Sequence, residues 1–351
     1  MNHLDNRLNQ LPSSIYPKIA KIDELKGRWA GERNLSPQVL GRLKRSALAT
    51  SAGASTRIEG SRLSDAEVEK LMRGLTTHKL ADRDAQEGTG YYELLQLIFD
   101  NYEDIEVTES AILSLHHQLL RYSTKDERHK GQYKHLENRV EARETDGTCV
   151  GVIFDTTPAY LTPKAMQELV AWFADSQKTA AFHPLLIIAN FIVEFLKVHP
   201  FLDGNGRLSR ILTNLLLLRA GYAYVPYVSH EKFIENQKAE YYIALRKSQT
   251  TFGTDDESVT AWVEYFTSIL HAQAEEAIAL LEGQNIEQLL SPQQLKVWQY
   301  LLEVHEATPD QMSEATQVPR PTVSQVVDRL MELQQIERLG LGRATRYRRI
   351  S

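Results

Sequence analysis

Cysteine is almost absent from this chain, because Cys149 is the single cysteine among its 351 residues. One cysteine cannot form an intramolecular disulfide, and it cannot build a cysteine-based metal site. A chain without disulfides is typical of a reducing compartment. The first residues also lack the apolar stretch of a secretory signal peptide, so we expect a cytoplasmic protein.

Long apolar runs without charge are missing as well. The most apolar segment, residues 185–198, contains Asn190, Glu194 and Lys197 and stops just before Pro200. It is too short and too polar to cross a membrane, so we expect no membrane partner. Positive charge is not in excess, because the formal net charge is −6. That charge argues against nucleic-acid binding by the whole chain, although it permits a local basic patch.

Apolar residues recur at helical spacing through most of the first 283 residues, which predicts a mainly α fold. The exception is a predicted β-hairpin at 138–154, where Asp146-Gly147 is a dipeptide favoured in turns with positive φ. We divide the chain into four parts, which are an N-terminal helical region (1–105), a core domain (106–283), a linker (284–290) and a C-terminal domain (291–351).

The C-terminal domain has the pattern of three helices followed by two strands, which resembles a winged helix-turn-helix. Past Glu337 its charged residues are all arginines, which suits contacts with nucleic-acid phosphates. Four polar residues would begin the recognition helix: Arg320, Thr322, Ser324 and Gln325. Asp328 and Glu332 dilute this positive charge, and many winged helices bind proteins instead. Both DNA and a protein therefore stay open as partners.

The most informative run is 198–210, a polar and glycine-rich turn between two segments that are apolar on every face. Helices of that kind are buried, so the turn leaves and re-enters a core. Gly204-Asn205-Gly206 can direct consecutive backbone N–H groups toward one point. At the start of a helix such groups form an anion site that the helix dipole strengthens.

Four side chains complete the chemistry of this turn. Arg207 and Arg210 lie three residues apart on one helix face and suit phosphate oxygens. Asp203 is a hard oxygen ligand of the kind that Mg²⁺ prefers. His199 can accept a proton near neutral pH. The set predicts a polyphosphate site with a metal ligand and a base. It is not a Walker loop, because no Gly-Lys-Ser/Thr is present. The alternative is a plain helix–turn–helix.

The run from His199 to Arg210 matches every position of the HPFx(D/E)GNGRxxR signature of the Fic family. The chain resembles that family over most of residues 10–285. The resemblance implies a Fic-type helical bundle with the hairpin as its flap. It also implies transfer of AMP from ATP to a Tyr, Thr or Ser hydroxyl of a target protein, with release of pyrophosphate and self-modification as a further outcome.

The resemblance assigns a role to each part of the turn. His199 would deprotonate the target hydroxyl, Asp203 would hold Mg²⁺ on the α- and β-phosphates, and Phe201 would anchor the turn in the core. The remaining positions would form the phosphate-binding segment, in which Arg207 contacts the phosphate chain and Arg210 the γ-phosphate. Its members are Gly204, Asn205, Gly206, Arg207, Leu208, Ser209 and Arg210.

Two further regions take nucleotide-site roles by the same resemblance. The candidates in the flap are Val152, Ile153, Phe154 and Asp155, and the strand edge there could pair with an extended target segment. An ordinary surface hairpin is the alternative. Tyr241 corresponds to an aromatic residue near the adenine, with core packing as its alternative.

Ser55-Thr56-Arg57-Ile58-Glu59-Gly60 matches the (S/T)xxxE(G/N) inhibitory motif of the family, in which Ser55, Glu59 and Gly60 are the defining positions. A carboxylate in the last turn of a helix opposes the helix dipole, at a cost of roughly 0.3–1 kcal/mol. A facing cation would offset that cost, and the resemblance names Arg210. Glu59 would then hold ATP in an unproductive pose. A solvated carboxylate at a helix end is the alternative.

Other functions stay compatible with the sequence. One is a DNA-binding regulator that senses nucleotide, and another is a Fic enzyme that removes AMP or uses a different nucleotide donor. The target protein is not identified by the sequence. The oligomeric state of this chain is open too, because a homo-oligomer interface could supply or relieve the inhibitory helix.

Overall fold

The computed structural model describes residues 3–32, 35–74, 82–125, 127–143, 149–304, 306–332, 335–340 and 345–350. The chain divides into two compact units, Met1–Ile278 and Ala279–Ser351. Helices dominate both units, so the mainly α prediction is confirmed. None of the helices in the described ranges is both long enough and apolar enough to cross a membrane.

Twelve helices of the described residues begin in the first unit. They are α1 (His3–Asn9), α2 (Tyr16–Glu32), α3 (Pro37–Ile58), α4 (Asp65–Gly74), α5 (Arg83–Asn101), α6 (Glu109–Leu119), α7 (Thr162–Thr179), α8 (Pro184–Val198), α9 (Asn205–Arg219), α10 (His230–Asn236), α11 (Lys238–Gln249) and α12 (Thr260–Leu289). The N-terminal ends of α3, α5 and α6 each carry the side-chain cap that starts a helix, from Ser36, Asp82 and Thr108.

The predicted β-hairpin is present between α6 and α7. Its strands are β1 (Arg139–Arg143) and β2 (Cys149–Asp155), which pair antiparallel. The expected turn dipeptide Asp146-Gly147 lies outside the described residues. The register shifts between Val140 and Glu141, which leaves Ile153 without a partner on β1.

Helices α8 and α9 form the centre of the first unit. Twelve of the fifteen residues of α8 and thirteen of the fifteen residues of α9 are buried. This burial on every face is what their apolar sequences predict. The polar turn 199–204 joins the two helices, so its geometry is fixed by core packing on both sides.

Helix α1 is attached to α8 by a buried arginine, which gives a stability prediction. Arg7 is 3% exposed, and its guanidinium binds Glu194 (2.6 Å) and Glu257 (2.5 Å). Removing one partner of such a group leaves the others desolvated and unpaired. We expect Arg7→Ala to lower the free energy of unfolding by about 2–4 kcal/mol in urea titrations.

The matched control is Lys21→Ala, which removes the exposed ion pair with Glu24. It should change the free energy of unfolding by less than about 0.5 kcal/mol. Equal effects of the two variants would contradict a structural role for Arg7.

The second unit contains α13 (Pro292–Val304), β3 (Glu306–Ala307), α14 (Pro309–Thr316), α15 (Arg320–Glu332), β4 (Ile336–Leu339) and β5 (Arg346–Arg349). The three strands form an antiparallel sheet in the order β3-β5-β4. The helices enclose a core that includes Val297, Trp298 and Leu330. These elements are the ones expected of a winged helix-turn-helix, and that identification stays a prediction.

The predicted linker at 284–290 is not an irregular segment. Helix α12 crosses the division between the units and continues to Leu289. Residues 284–289 contain neither proline nor glycine, so nothing in them interrupts a helix, and the break comes at Ser291-Pro292. Leu290 already belongs to the core of the second unit.

Candidate active site

His199 ends helix α8 in a left-handed conformation with φ of 50°. This conformation costs about 1–2 kcal/mol in a residue that has a side chain. Its backbone N–H donates to Phe195 O (2.9 Å), and its Nδ1 lies 3.3 Å from Leu196 O. Because Nδ1–H donates to that carbonyl, the lone pair of the ring is on Nε2. His199 lines the cleft described below.

The environment keeps this imidazole neutral. Burial, together with the smaller effect of the positive charge of Lys134, lowers the pKa of His199 to about 4, although the hydrogen bond to the Leu196 carbonyl opposes this change. A neutral imidazole with its lone pair on Nε2 is a base that is ready at neutral pH.

The turn after His199 is held by an aromatic stack. Phe201 is fully buried, and its ring lies parallel to that of His116 with 3.7 Å between centroids. His116 Nδ1 accepts from Gly131 N–H (3.0 Å), so its Nε2–H donates to Asp203 O (3.0 Å). His116 thus fixes both the ring beneath the turn and the carbonyl that precedes Gly204.

The side chain of Asn205 supports the turn and is not available to a phosphate. Its Oδ1 accepts from Phe201 N–H (2.9 Å), and its Nδ2 donates to Phe201 O (2.7 Å). Both ends of the amide are therefore used inside the turn, and the role of Asn205 in binding phosphate stays a prediction. Its backbone N–H, in the first turn of α9, is the group it can offer to an anion.

The structural role of Asn205 gives a second stability prediction. Asn205→Ala leaves the buried N–H of Phe201 without its acceptor, whereas Phe201 O keeps a bond from Asn138 Nδ2 (2.8 Å). We expect a loss of about 1–3 kcal/mol in the free energy of unfolding. The control is Asn101→Ala, since Asn101 also bonds a backbone carbonyl but is exposed. If both variants unfold alike, Asn205 does not hold the turn.

Glu59 lies on the anion site at the start of α9. Helix α3 ends at Ile58 with Glu59 as its C-cap, and Gly60 follows with φ of 104°. A methyl group built on Gly206 would lie 2.3 Å from Glu59 Oε1. The carboxylate therefore covers the Gly206 backbone, where the predicted phosphate would bind, and only glycine leaves room for it.

Arg210 connects Glu59 to the anion site. Its Nη2 donates to Glu59 Oε1 (2.7 Å) and to Ser55 O (3.0 Å), and its Nε donates to Ser55 Oγ (2.8 Å). The guanidinium is 2% exposed, and the third nitrogen, Nη1, has no hydrogen-bond partner in the described part of the chain. This buried donor lies near Gly206 and is available to an anion there.

Asp203 and Arg207 form a second charged group beside the turn. Arg207 is 2% exposed and lies between Asp203 (3.1 Å) and Glu87 (2.9 Å). Asp203 also accepts from Gly204 N–H (2.7 Å) and from Arg83 (3.2 Å). Burial raises the pKa of Asp203, but the charge of Arg207 and the Gly204 bond outweigh burial, so its pKa is below the usual value. Asp203 is ionised at neutral pH.

Asp203 suits a metal ion that is bound mainly by the substrate and by water. Among the described residues, no cluster of three or more His, Cys, Asp or Glu side chains could hold a metal ion. Asp203 supplies a single carboxylate, and its side chain is 33% exposed. That arrangement fits Mg²⁺, which is commonly held by one or two carboxylates, waters and the phosphates of a substrate.

The cleft around these groups has a volume of about 120 Å³. It is lined by Glu59, Leu196, His199, Leu202, Asp203, Gly204, Asn205, Gly206, Arg207, Tyr241, Tyr242 and Leu245. Tyr241 thus reaches the cleft, and it is also 3% exposed and packed edge-on against Trp262. Tyr241 therefore packs in the core and also forms part of the cleft wall, and its place near the adenine stays a prediction.

Leu208 and Ser209 have no side-chain role toward phosphate. Leu208 is fully buried and its N–H donates to Gly204 O (2.8 Å). Ser209 Oγ donates to Gly206 O (2.7 Å). These polar groups are used inside the helix, and the place of the two residues in the phosphate-binding segment stays a prediction. For Val152, Ile153, Phe154 and Asp155, the structure gives the backbone of β2 alone.

The site also rests on a buried carboxylate, Glu231, that no motif in the sequence predicts. Glu231 is 0% exposed and accepts from four side chains: Ser51 on α3, Tyr91 on α5, Asn214 on α9 and Ser229 before α10. Burial raises its pKa, but His230 and these donors outweigh burial and keep the pKa below the usual value. Glu231 thus joins the helix of the inhibitory motif to α9.

Comparisons with known proteins identify the proteins that this chain resembles. Residues 106–217 match the model of the Fic/DOC family. A probable protein adenylyltransferase of Aquifex aeolicus is 28% identical over 181 residues, which cover 51% of this chain and 51% of the relative. Protein adenylyltransferase Fic of Drosophila grimshawi is 31% identical over 144 residues, 41% of this chain and 26% of the relative. The chain thus spans about half or less of these relatives.

Solved structures support the fold. The crystal structure of a Fic family protein from Desulfovibrio desulfuricans G20 matches with a TM-score of 0.62 and 25% identity, covering 97% of each chain. Fic-1 of C. elegans matches with a TM-score of 0.60 and 19% identity over 77% of this chain and 74% of the other.

Proposed function

The chain belongs to the Fic family, and we propose that it is a protein adenylyltransferase that transfers AMP from ATP to a hydroxyl of a target protein. One observation carries the proposal. A neutral His199 and an anion site with the unpaired Nη1 of the buried Arg210 lie on the same turn. A base and a polyphosphate site in one cleft are the parts that nucleotidyl transfer needs.

The reaction uses His199 as a general base. Nε2 accepts the proton of the target hydroxyl as the hydroxyl oxygen attacks the α-phosphorus of ATP. The bond from the α-phosphorus to the bridging oxygen of the β-phosphate breaks, and pyrophosphate leaves with the electron pair. The products are the adenylylated hydroxyl, pyrophosphate and a protonated His199, which returns its proton to solvent.

The phosphates would bind at the start of α9. The Asn205 and Gly206 backbone N–H groups, in the first turn of α9, would face the anion with the helix dipole behind them. Arg207 is held by two carboxylates, so its charge is already in place before ATP arrives. Fixed charges of this kind stabilise a transition state without a reorganisation cost.

Asp203 would hold Mg²⁺. The carboxylate would then exchange its hydrogen bond from Arg83 for the metal. The metal would supply charge neutralisation on the phosphates and polarise the bonds around the α-phosphorus. Tyr241 would lie near the adenine, and the outer edge of β2 would pair with the target segment.

The same geometry supports autoinhibition by Glu59. The carboxylate occupies Arg210 and covers Gly206, which are two groups that the γ-phosphate end of ATP would need. ATP that binds beside Glu59 would be displaced along the cleft from the productive position. The ordered contacts of α3, including the Ser55 bonds to Arg210, keep Glu59 there.

DNA binding by the C-terminal unit is the less favoured role. Residues 279–351 contain eight Lys and Arg against nine Asp and Glu. Four of the arginines are paired with acids: Arg320 with Asp310, Arg329 with Glu332, Arg346 with Glu306 and Arg348 with Glu337. A positive field that is cancelled in this way gives little of the phosphate attraction on which DNA binding depends.

The position of the label in ATP tests the reaction class. A Glu59→Gly variant is incubated with Mg²⁺ and a cell lysate, with ATP labelled at either the α- or the γ-phosphate. Adenylyl transfer predicts label in protein from the α position and none from the γ position. Label from the γ position would indicate phosphoryl transfer and overturn the proposal. Unlabelled UTP, GTP and CDP-choline as competitors identify a different donor, and loss of label from a pre-labelled target would indicate AMP removal.

A further inference from the structure

Lys134 lies where both ends of the hairpin meet the catalytic turn. Its ammonium donates to Asn138 Oδ1 (2.8 Å), Thr156 Oγ1 (2.9 Å) and Val198 O (3.1 Å). Its backbone N–H donates to Pro200 O (2.8 Å). Asn138 precedes β1 and Thr156 follows β2, whereas Val198 and Pro200 flank the proposed base. One residue therefore contacts three separate segments.

The contacts of Lys134 belong to a closed set of hydrogen bonds. Thr156 Oγ1 bonds to Asn138 O (2.8 Å), which ties the two hairpin ends to each other. Asn138 Nδ2 donates to Phe201 O (2.8 Å) in the turn, and Thr157 N–H donates to Lys197 O (3.2 Å) in α8. The strands can therefore shift relative to the turn only if this set breaks.

The position of Lys134 is unusual for a lysine. Its side chain is 3% exposed, and each of its three hydrogen-bond partners is a neutral oxygen. Burial lowers the pKa of Lys134 to about 8, and Lys197 adds to the decrease while Glu137 opposes it. Among the described residues no carboxylate forms an ion pair with this ammonium, and burying such a charge is costly. Its hydrogen bonds between the hairpin ends and the turn are what an apolar side chain could not provide.

We propose that Lys134 is a positioning residue that fixes the hairpin relative to His199 and so aligns the target hydroxyl with the base. This inference rests on the proposed function, because it concerns the target side of that reaction. Lys134 lies outside the described lining of the nucleotide cleft, so its role differs from that of Arg207 and Arg210. Its loss should affect the target and spare ATP.

The test compares variants of Lys134 in the Glu59→Gly background. Lys134→Met keeps an unbranched stem and removes all three donors. We expect the apparent kcat/KM for labelling of lysate proteins, measured with ATP labelled at the α-phosphate and increasing amounts of lysate, to fall by roughly tenfold or more, because bonds to a charged group are lost. The affinity for ATP, measured by calorimetry, should stay unchanged. Amide hydrogen exchange in β1 and β2 should become faster.

Two further variants separate positioning from folding. Lys134→Arg keeps a cation with several donors and should restore most of kcat/KM. Thr156→Val is isosteric, removes one acceptor of the ammonium and the link to Asn138, and should show the same pattern more weakly. If Lys134→Met shows no cooperative thermal transition and is therefore not folded, Thr156→Val tests the positioning role in its place.

Several results would overturn the inference. Hydrogen exchange in β1 and β2 that matches the parent in the folded variants would show that the hairpin does not depend on Lys134. A fall in ATP affinity that parallels the fall in rate would place Lys134 in nucleotide binding instead. Hydrogen exchange and ATP affinity can be measured without AMP transfer, so they test the positioning role of Lys134 even if the Glu59→Gly protein transfers no AMP. Absence of AMP transfer would overturn the proposed function alone.

Discussion

In the Glu59→Gly background, replacing His199 with alanine should lower the rate of AMP transfer by about 10²- to 10⁴-fold, the usual contribution of a general base. The imidazole is neutral and its lone pair is on Nε2, so it is the group in the cleft that can take the hydroxyl proton. The affinity for ATP should change little, because the anion site is made by α9 and the arginines. Rates come from single-turnover labelling and affinities from calorimetry.

The pH dependence of the rate is a second readout of His199. Because the pKa of His199 is lowered to about 4, the base stays free throughout the neutral range, and the rate should not fall until the pH approaches 4. In the unfolded chain this imidazole titrates near about 6.5. Between those values the unfolded chain takes up a proton that the folded protein does not, so the stability from this group is lost as the pH falls from about 6.5 to 4. A rate that halves near pH 6.5 would contradict the assignment.

Replacing Glu59 with glycine should raise the rate of AMP transfer roughly 10- to 100-fold, since a charged hydrogen bond of about 1.5–3 kcal/mol no longer competes with ATP for Arg210. The change removes the Glu59 bond from Arg210 Nη2 and uncovers Gly206 at the same time. Ser55 still holds Arg210 through Nε and Nη2, so the guanidinium stays in position. Initial rates of labelling at saturating ATP measure the effect.

Glu59→Gln is the matched control for charge. A glutamine has nearly the same shape and can still accept from Arg210, but it carries no negative charge. Its rate should lie between those of the parent and Glu59→Gly. A glutamine variant as active as the glycine variant would mean that charge alone inhibits. A glycine variant no faster than the parent would contradict the inhibitory role of Glu59.

The elements around the site could be predicted because their signals are local. The apolar sequences of α8 and α9 indicate burial on every face, and Ser36-Pro37 and Gly60 mark the two ends of α3. The signature in the turn predicts the base and the anion site directly. These features depend on residues that are close in the sequence, so spacing alone reveals them.

The supporting contacts could not be predicted because they join residues far apart in the chain. His116 and Asp203 are separated by 87 positions, and Lys134 and Val198 by 64. Nothing near Asn205 in the sequence tells whether its amide faces a phosphate or its own turn. The helical state of the predicted linker could not be foreseen for a different reason, since residues 284–289 have ordinary helical composition and simply extend α12. The pairing of Arg346 with Glu306 and of Arg348 with Glu337 likewise needs the register of β3, β4 and β5.

In the proposed function, one turn holds both the base and the phosphate site, and Glu59 blocks the phosphate site. The most direct test follows label from α-labelled ATP into protein for the parent, Glu59→Gly, Glu59→Gly/His199→Ala and Glu59→Gly/Arg210→Ala in one experiment. We expect strong labelling of protein by Glu59→Gly, weak labelling by the parent, and labelling at the background level by both double variants. Equal label with the parent and Glu59→Gly, or label that persists without His199, would contradict the proposed function.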